Sequence, residues 1–132
     1  MNIDEVFEFA QTKNIAIDRF PFEAVAAMSL PEGCIGYNPQ KFETAAELKS
    51  ALAHEIGHIQ KGAFYCACTP LISRAKCEYK ADKYAVEMLL PQREMEEAIK
   101  SGDREIWQLA ETFGVTEQLV RKACRIYFDL TA

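Results

Sequence analysis

No apolar run in this sequence approaches the roughly 20 residues that a membrane-crossing helix needs. The opening Met1-Asn2-Ile3-Asp4-Glu5 is acidic and lacks the layout of a signal peptide. These two absences lead us to expect a cytoplasmic protein with no membrane association. Positive charge is not in surplus either: 15 Lys and Arg stand against 20 Asp and Glu, a net charge of -5. That balance speaks against broad binding to nucleic acid or anionic lipid. A disulfide framework is also missing. The five cysteines, Cys34, Cys66, Cys68, Cys77 and Cys124, are odd in number and irregular in spacing, which fits reduced thiols. Free cysteine usually behaves as a small hydrophobe, so Cys66 and Cys68 are weak evidence for metal binding. No repeat, low-complexity tract or Gly/Ser linker divides the chain, and its 132 residues suit one compact domain, 1–132.

What is present reads mostly as helix. Residues 3–12 place Val6, Phe7 and Ala10 on one side. Between 15 and 37, the apolar runs Ile15-Ala16-Ile17 and Cys34-Ile35-Gly36-Tyr37 are punctuated by Pro21 and a Pro31-Glu32-Gly33 turn. We expect a small antiparallel sheet there. A strong helix follows: Thr44 and Glu47 form a capping box, Leu48, Leu52, Ile56 and Ile59 recur at helical spacing, and Gly62 stops it. A loop over 63–71 leads to a second strong helix, about 73–90, with Ala81, Ala85 and Leu89 as its apolar stripe. Pro91 closes that helix and can open another over 91–100. Gly102 precedes a last pair, about 103–113 and 117–128.

Histidine is scarce, and its placement is informative. The only two histidines, His54 and His58, flank Glu55 in an H-E-x-x-H arrangement. Residues four apart share one helix face, so two imidazoles can converge on one zinc ion at about 2.0–2.1 Å. Glu55 would then lie beside the metal, as the base for an attacking water. Chance would place two histidines this way, with Glu after the first, roughly once in 600 such chains. A catalytic zinc takes three protein ligands and keeps a fourth position open. Glu78, 20 residues beyond His58, is the best third ligand, with Glu87 a weaker competitor. Asp82, one turn on from Glu78, could accept a hydrogen bond from a ligand imidazole and orient it. Alone, Glu78 and Asp82 would pass for solvated helix charges beside Lys80 and Lys83. Tyr65, Tyr79 and Tyr84 are candidates for stabilising an oxyanion, and the sequence does not choose among them.

The segments "SALAHEIGHIQ" and "CEYKADKYAVEMLLP" together resemble the ImmA/IrrE family of metallopeptidases, a compact branch of the gluzincins. Glu78, Ala81, Asp82, Tyr84, Ala85, Leu89 and Leu90 fall on its second motif. Pro91 directly follows Leu90, one residue earlier than usual. "IGYNP" at 35–39 resembles the strand that often precedes the metal helix. The resemblance implies an α+β, mainly helical zincin-like fold. It also implies Zn2+ held by His54, His58 and Glu78, with Glu55 as base. Family members commonly belong to phages and integrative elements or act as stress regulators, and several cleave helix-turn-helix repressors. The implied partner is therefore such a repressor.

Residues 106–127 resemble a helix-turn-helix, with Ala110, Gly114, Val115 and Val120 at the small, turn and apolar positions. Arg121, Lys122 and Arg125 would then line an outer face able to meet DNA. Residues 103–132 nevertheless hold four basic and five acidic side chains, which is no basic footprint. We expect 103–128 to pack on the protease core or recognise protein, and DNA binding is not expected. Two functions stay open: a site-specific zinc endopeptidase, or a non-proteolytic regulator that binds DNA or a repressor through this tail, its metal site structural or vestigial. An intact Glu55 favours the first, because a structural site needs no base. Oligomeric state is not legible.

Overall fold

The computed structural model describes residues 1–129, so residues 130–132 of the expected 1–132 unit lie outside it. Capping decides where the helices begin. The first helix, α1 (Ile3–Thr12), starts at Asn2, whose side chain accepts the Glu5 N–H while Glu5 Oε1 accepts the Asn2 N–H, both at 2.9 Å. That reciprocal pair satisfies two donors that a helix start leaves without partners. The second helix, α2 (Ala45–Lys61), starts at Thr44, whose hydroxyl accepts the Glu47 N–H at 3.1 Å. Its expected capping box is only half closed: the Glu47 carboxylate meets the Thr44 hydroxyl at 3.4 Å. Four more helices follow: α3 (Leu71–Leu89), α4 (Gln92–Lys100), α5 (Ile106–Phe113) and α6 (Glu117–Phe128). The start of α5 falls at 106 rather than 103. Gln108 Oε1 accepts both the Arg104 and the Glu105 N–H at 2.9 Å, which fixes the helix entry there.

Three short strands, β1 (Ala16–Arg19), β2 (Ala27–Leu30) and β3 (Cys34–Tyr37), form a sheet in the order β1-β3-β2. The fold class is α+β, as expected, but the sheet is mixed rather than wholly antiparallel. β2 and β3 pair antiparallel, Leu30 opposite Cys34, because the turn at 31–33 joins them directly. Gly33 takes the positive φ of 95° that this turn requires. β1 pairs parallel to β3, Ala16 opposite Cys34. A parallel partner needs a connection of a dozen or more residues, and residues 20–33, β2 included, supply it. The consequence for function is that β2 is an edge strand.

Helices α2 and α3 run antiparallel, so that position 58 meets 78, position 57 meets 81 and position 54 meets 82. Gly57 permits the close approach. A Cβ on it would lie 2.7 Å from the Ala81 carbonyl oxygen and 3.1 Å from Tyr84 Cβ. The core beneath them contains Val6, Ile35, Leu52, Ile56, Val86, Leu90, Met95 and Val120, all fully buried. The final pair packs on this core through α6 against α3. There the Tyr127 hydroxyl donates 2.8 Å to the Leu90 carbonyl at the end of α3. Burial, with Glu87 nearby, pushes that phenol up to about 12. Lys49 is buried inside α2, donating to Met1 O at 2.7 Å and Phe113 O at 2.8 Å. It thereby ties the first residue to the end of α5. Among the described residues, no helix is long and apolar enough to cross a membrane.

Candidate metal centre

The two turns of α2 that carry His54 and His58 face the first half of α3, and three donors converge there. His54 Nε2 and His58 Nε2 stand 3.1 Å apart. Glu78 Oε2 lies 3.0 Å from the first and Glu78 Oε1 lies 3.2 Å from the second. A tetrahedral ion with bonds of about 2.0–2.1 Å holds its ligands about 3.3 Å apart. The triangle therefore fits such an ion without rearrangement of the helices. Two imidazoles and one carboxylate, with one position left for water or substrate, are also the donor set of a catalytic zinc.

The far side of each ring is held. Gly62 ends α2 in the left-handed region at φ 58° and turns the chain back under the helix. Ala63, the next residue, gives its N–H to His58 O at 2.9 Å and accepts His58 Nδ1–H at 2.6 Å. A carbonyl can only accept, so His58 Nδ1 is the donor in that bond, and Nε2 is the nitrogen left facing Glu78 and His54. His54 Nδ1 lies 2.8 Å from Asp82 Oδ1, and Lys122 Nζ donates to the same oxygen at 3.0 Å. Burial works against charge on His54, but the Asp82 hydrogen bond and the charges of Asp82, Glu55 and Glu78 outweigh it and raise its pKa. Burial also opposes ionisation of Asp82, yet the His54 and Lys122 hydrogen bonds and the Lys122 charge hold it below the ordinary carboxylate value.

Beside the triad opens a cleft of about 530 Å³, lined by β2 on one wall and by His54, Glu55, His58, Tyr65 and Glu78 on the other. Glu55 is turned toward β2, where Ser29 Oγ donates to its Oε1 at 2.7 Å. Tyr65 reaches in from the loop between α2 and α3, and its hydroxyl donates to Glu78 Oε1 at 3.1 Å. That bond, with the Glu78 charge, raises the Tyr65 pKa.

The structure thus brings together His54, Glu55, His58, Glu78 and Asp82. Glu87, the weaker ligand candidate, lies apart in a depression with Pro91 and Tyr127. Of the three tyrosines, Tyr65 lines the cleft, Tyr79 lies in a separate depression with Lys61, Lys76 and Lys80, and Tyr84 packs against the core. The expected outer face of α6 needs correction: Lys122 points inward to Asp82, and Arg121 pairs with Glu117 at 3.8 Å. Sequence reasoning missed three contributors. Ser29 and the Ala63 carbonyl leave no trace in a sequence. Lys122 was visible, but as a surface charge.

Comparison with known proteins bears on the same residues. The chain matches the peptidase M78 family, the IrrE N-terminal-like domain, over residues 2–125. Among solved structures, a Mycobacterium tuberculosis transcriptional regulator superposes with a TM-score of 0.71 at 14% sequence identity. The superposition covers 92% of this chain and 40% of that one, and at such identity the likeness is one of fold. No curated protein matches the chain. The matched span holds all of α1 to α5 and most of α6, with both halves of the histidine and glutamate triangle inside it, and the chain belongs to the M78 peptidase family of IrrE N-terminal-like domains.

Proposed function

We propose that this protein is a zinc-dependent endopeptidase that cuts a regulatory protein, of the helix-turn-helix repressor kind, at one or a few sites. The observation that carries the reading is the convergence of His54, His58 and Glu78 within 4.8 Å, at the wall of a cleft that also holds Glu55. These three residues would hold Zn2+, which supplies Lewis acidity to polarise a peptide carbonyl and acidify water.

The remaining chemistry falls to the chain's own groups. Ser29 holds Oε1 of Glu55 at 2.7 Å, so the carboxylate presents Oε2 to the cleft. Glu55 Oε2 takes the proton of the attacking water and delivers it to the departing amine. The backbone of β2, at the sheet edge, can pair with an extended peptide and draw it through the cleft. Tyr65 OH, freed from Glu78 by a rotation of its side chain, can donate to the oxyanion that develops on the scissile carbonyl. Asp82 and Lys122 keep the His54 ring in place.

A cleft of this size engages few side chains, so selectivity rests on contacts outside it. A regulatory target suits that limit, and the structural neighbour is itself described as a transcriptional regulator. The rival reading, DNA recognition by α6, is weakened by the engagement of Lys122 with Asp82 and of Arg121 with Glu117. The test is to incubate zinc-loaded protein with a purified helix-turn-helix repressor from the same source and, separately, with unstructured casein. We expect discrete cleavage of the repressor and little loss of casein. Efficient casein digestion with an intact repressor would refute the specificity, and no cleavage of either would refute the activity.

A further inference from the structure

The loop between α2 and α3 holds a second reactive group that the metal chemistry does not use. Cys66 Sγ and Cys68 Sγ face each other at 2.7 Å, and both residues are exposed. Two thiolates sharing one zinc at about 2.3 Å would stand about 3.8 Å apart. The observed separation is nearer to the 2.03–2.05 Å of a disulfide. The turn is also braced in a way that keeps the sulfurs together. Thr69 Oγ accepts the Cys66 N–H at 3.1 Å. Arg74 donates its Nε to Thr69 O at 2.8 Å and a terminal nitrogen to Ala67 O, clasping the turn around the pair. The other three cysteines are placed differently: Cys124 is buried, and Cys34 and Cys77 are half-buried.

We propose that Cys66 and Cys68 form a thiol–disulfide exchange site whose substrate is a low-molecular-weight disulfide of the glutathione type. The Cys66 thiolate attacks one sulfur of the small disulfide. That S–S bond breaks, and one small thiol leaves with the proton Cys66 has shed. Cys68 then attacks Cys66 Sγ, releasing the second small thiol and closing the 66–68 disulfide. Two electrons and two protons pass from the protein dithiol to the small disulfide, giving two small thiols. Reduction by excess small thiol reverses each step.

Cys66 is the attacking group because its neighbours favour the thiolate: Cys68 first, then Thr69, bring its thiol down to about 7. Such a thiol is half ionised at pH 7, against about 3% for an ordinary one near 8.5. Its lower basicity costs about fivefold in nucleophilicity at a Brønsted slope near 0.5. The net expectation is attack about threefold faster than by an ordinary exposed thiol.

The experiment treats the reduced full chain with oxidised glutathione at pH 7, alkylates it and digests it with trypsin. Cleavage after Lys61 and Arg74 yields one peptide, 62–74, with both thiols, while Cys77 falls in another. We expect the 62–74 peptide to lose two hydrogens and resist alkylation, with Cys34, Cys77 and Cys124 still alkylated. Cys68→Ser should retain glutathione on Cys66. Cys66→Ser should leave glutathione on Cys68 instead. Stable mixed disulfides on the unaltered chain, without ring closure, would overturn the proposal. So would a second bound zinc that both serine variants lose, which would make the pair a metal site.

Discussion

Asp82 Oδ1 stands 2.8 Å from His54 Nδ1, on the side of the ring opposite to Glu78. Glu78 and Asp82, one turn apart on α3, therefore hold one imidazole from both sides. This relationship ranks their variants. Asp82→Asn keeps an acceptor for Nδ1–H but removes the charge, and zinc affinity should fall by about 10–100-fold. Glu78→Ala removes a donor of the triangle and should cost more. Competition with a chelator of known affinity measures both. Equal or reversed losses would show that Asp82 is the nearer partner of the metal.

The same pair gives the metal-free protein a characteristic pH response. His54 has a raised pKa when folded. Its contribution to stability is complete below the ordinary histidine value of about 6.5 and is lost as pH climbs through the raised one. Asp82 has a lowered pKa when folded. Its contribution is present above about 3.9 and is lost as pH falls through the lowered one. The apo protein should therefore gain most from the pair between about pH 4 and 6.5. Zinc requires neutral imidazoles, so the loaded protein should instead weaken as pH falls. Thermal unfolding of chelator-treated protein should show Tm declining from about pH 6 to about pH 8.5, and a rise over that span would contradict the assignment.

Glu55→Gln should leave fold and zinc content intact and lower kcat for cleavage of the proposed substrate by about 10²–10⁴, because an amide cannot take a proton. Ser29→Ala removes one hydrogen bond to the same carboxylate. Bonds to charged groups contribute about 1.5–3 kcal/mol, so kcat should fall by about 10- to 150-fold if the bond acts fully in the transition state. Single-turnover assays separate the two, and unchanged turnover in Ser29→Ala would remove Ser29 from the site.

Gly57→Ala introduces a Cβ only 2.7 Å from the Ala81 carbonyl oxygen. Rigid helix backbone cannot yield as a side chain tip would, and overpacking of this kind costs about 1–3 kcal/mol. We expect Tm to fall by several degrees. Zinc affinity should fall with it, because spreading α2 from α3 draws Glu78 away from both histidines. Full stability with full affinity would mean that the helices separate without disturbing the triangle.

Much of this was legible because it rests on local rules. Thr44 and Gly62 bracket α2 through capping, and the four-residue step from His54 to His58 follows from helix geometry alone. Glu78 and Asp82 could be read from the same step on the next helix. The parallel pairing of β1 with β3 was not legible, since four-residue strands carry no record of their partners. Lys49 sits in an amphipathic helix where a lysine ordinarily signals solvent, and only the approach of Met1 and Phe113 from distant parts of the chain makes its burial tolerable. Lys122 misled for the same reason. Its partner lies 40 positions away, and helix pattern cannot tell an inward lysine from an outward one.

That long reach links the order of synthesis to the chemistry. A growing chain presents Glu55, both histidines and Glu78 well before α6 exists. Asp82 then waits another 40 residues for the ammonium of Lys122, about 2–8 s of translation. During that interval the carboxylate behind His54 lacks its counter-charge, and α3 lacks the helix that packs against it. The donors of the candidate metal centre are thus made early, and their support is made late. A nascent chain passes residue 122 before the site it carries is braced as in the finished fold.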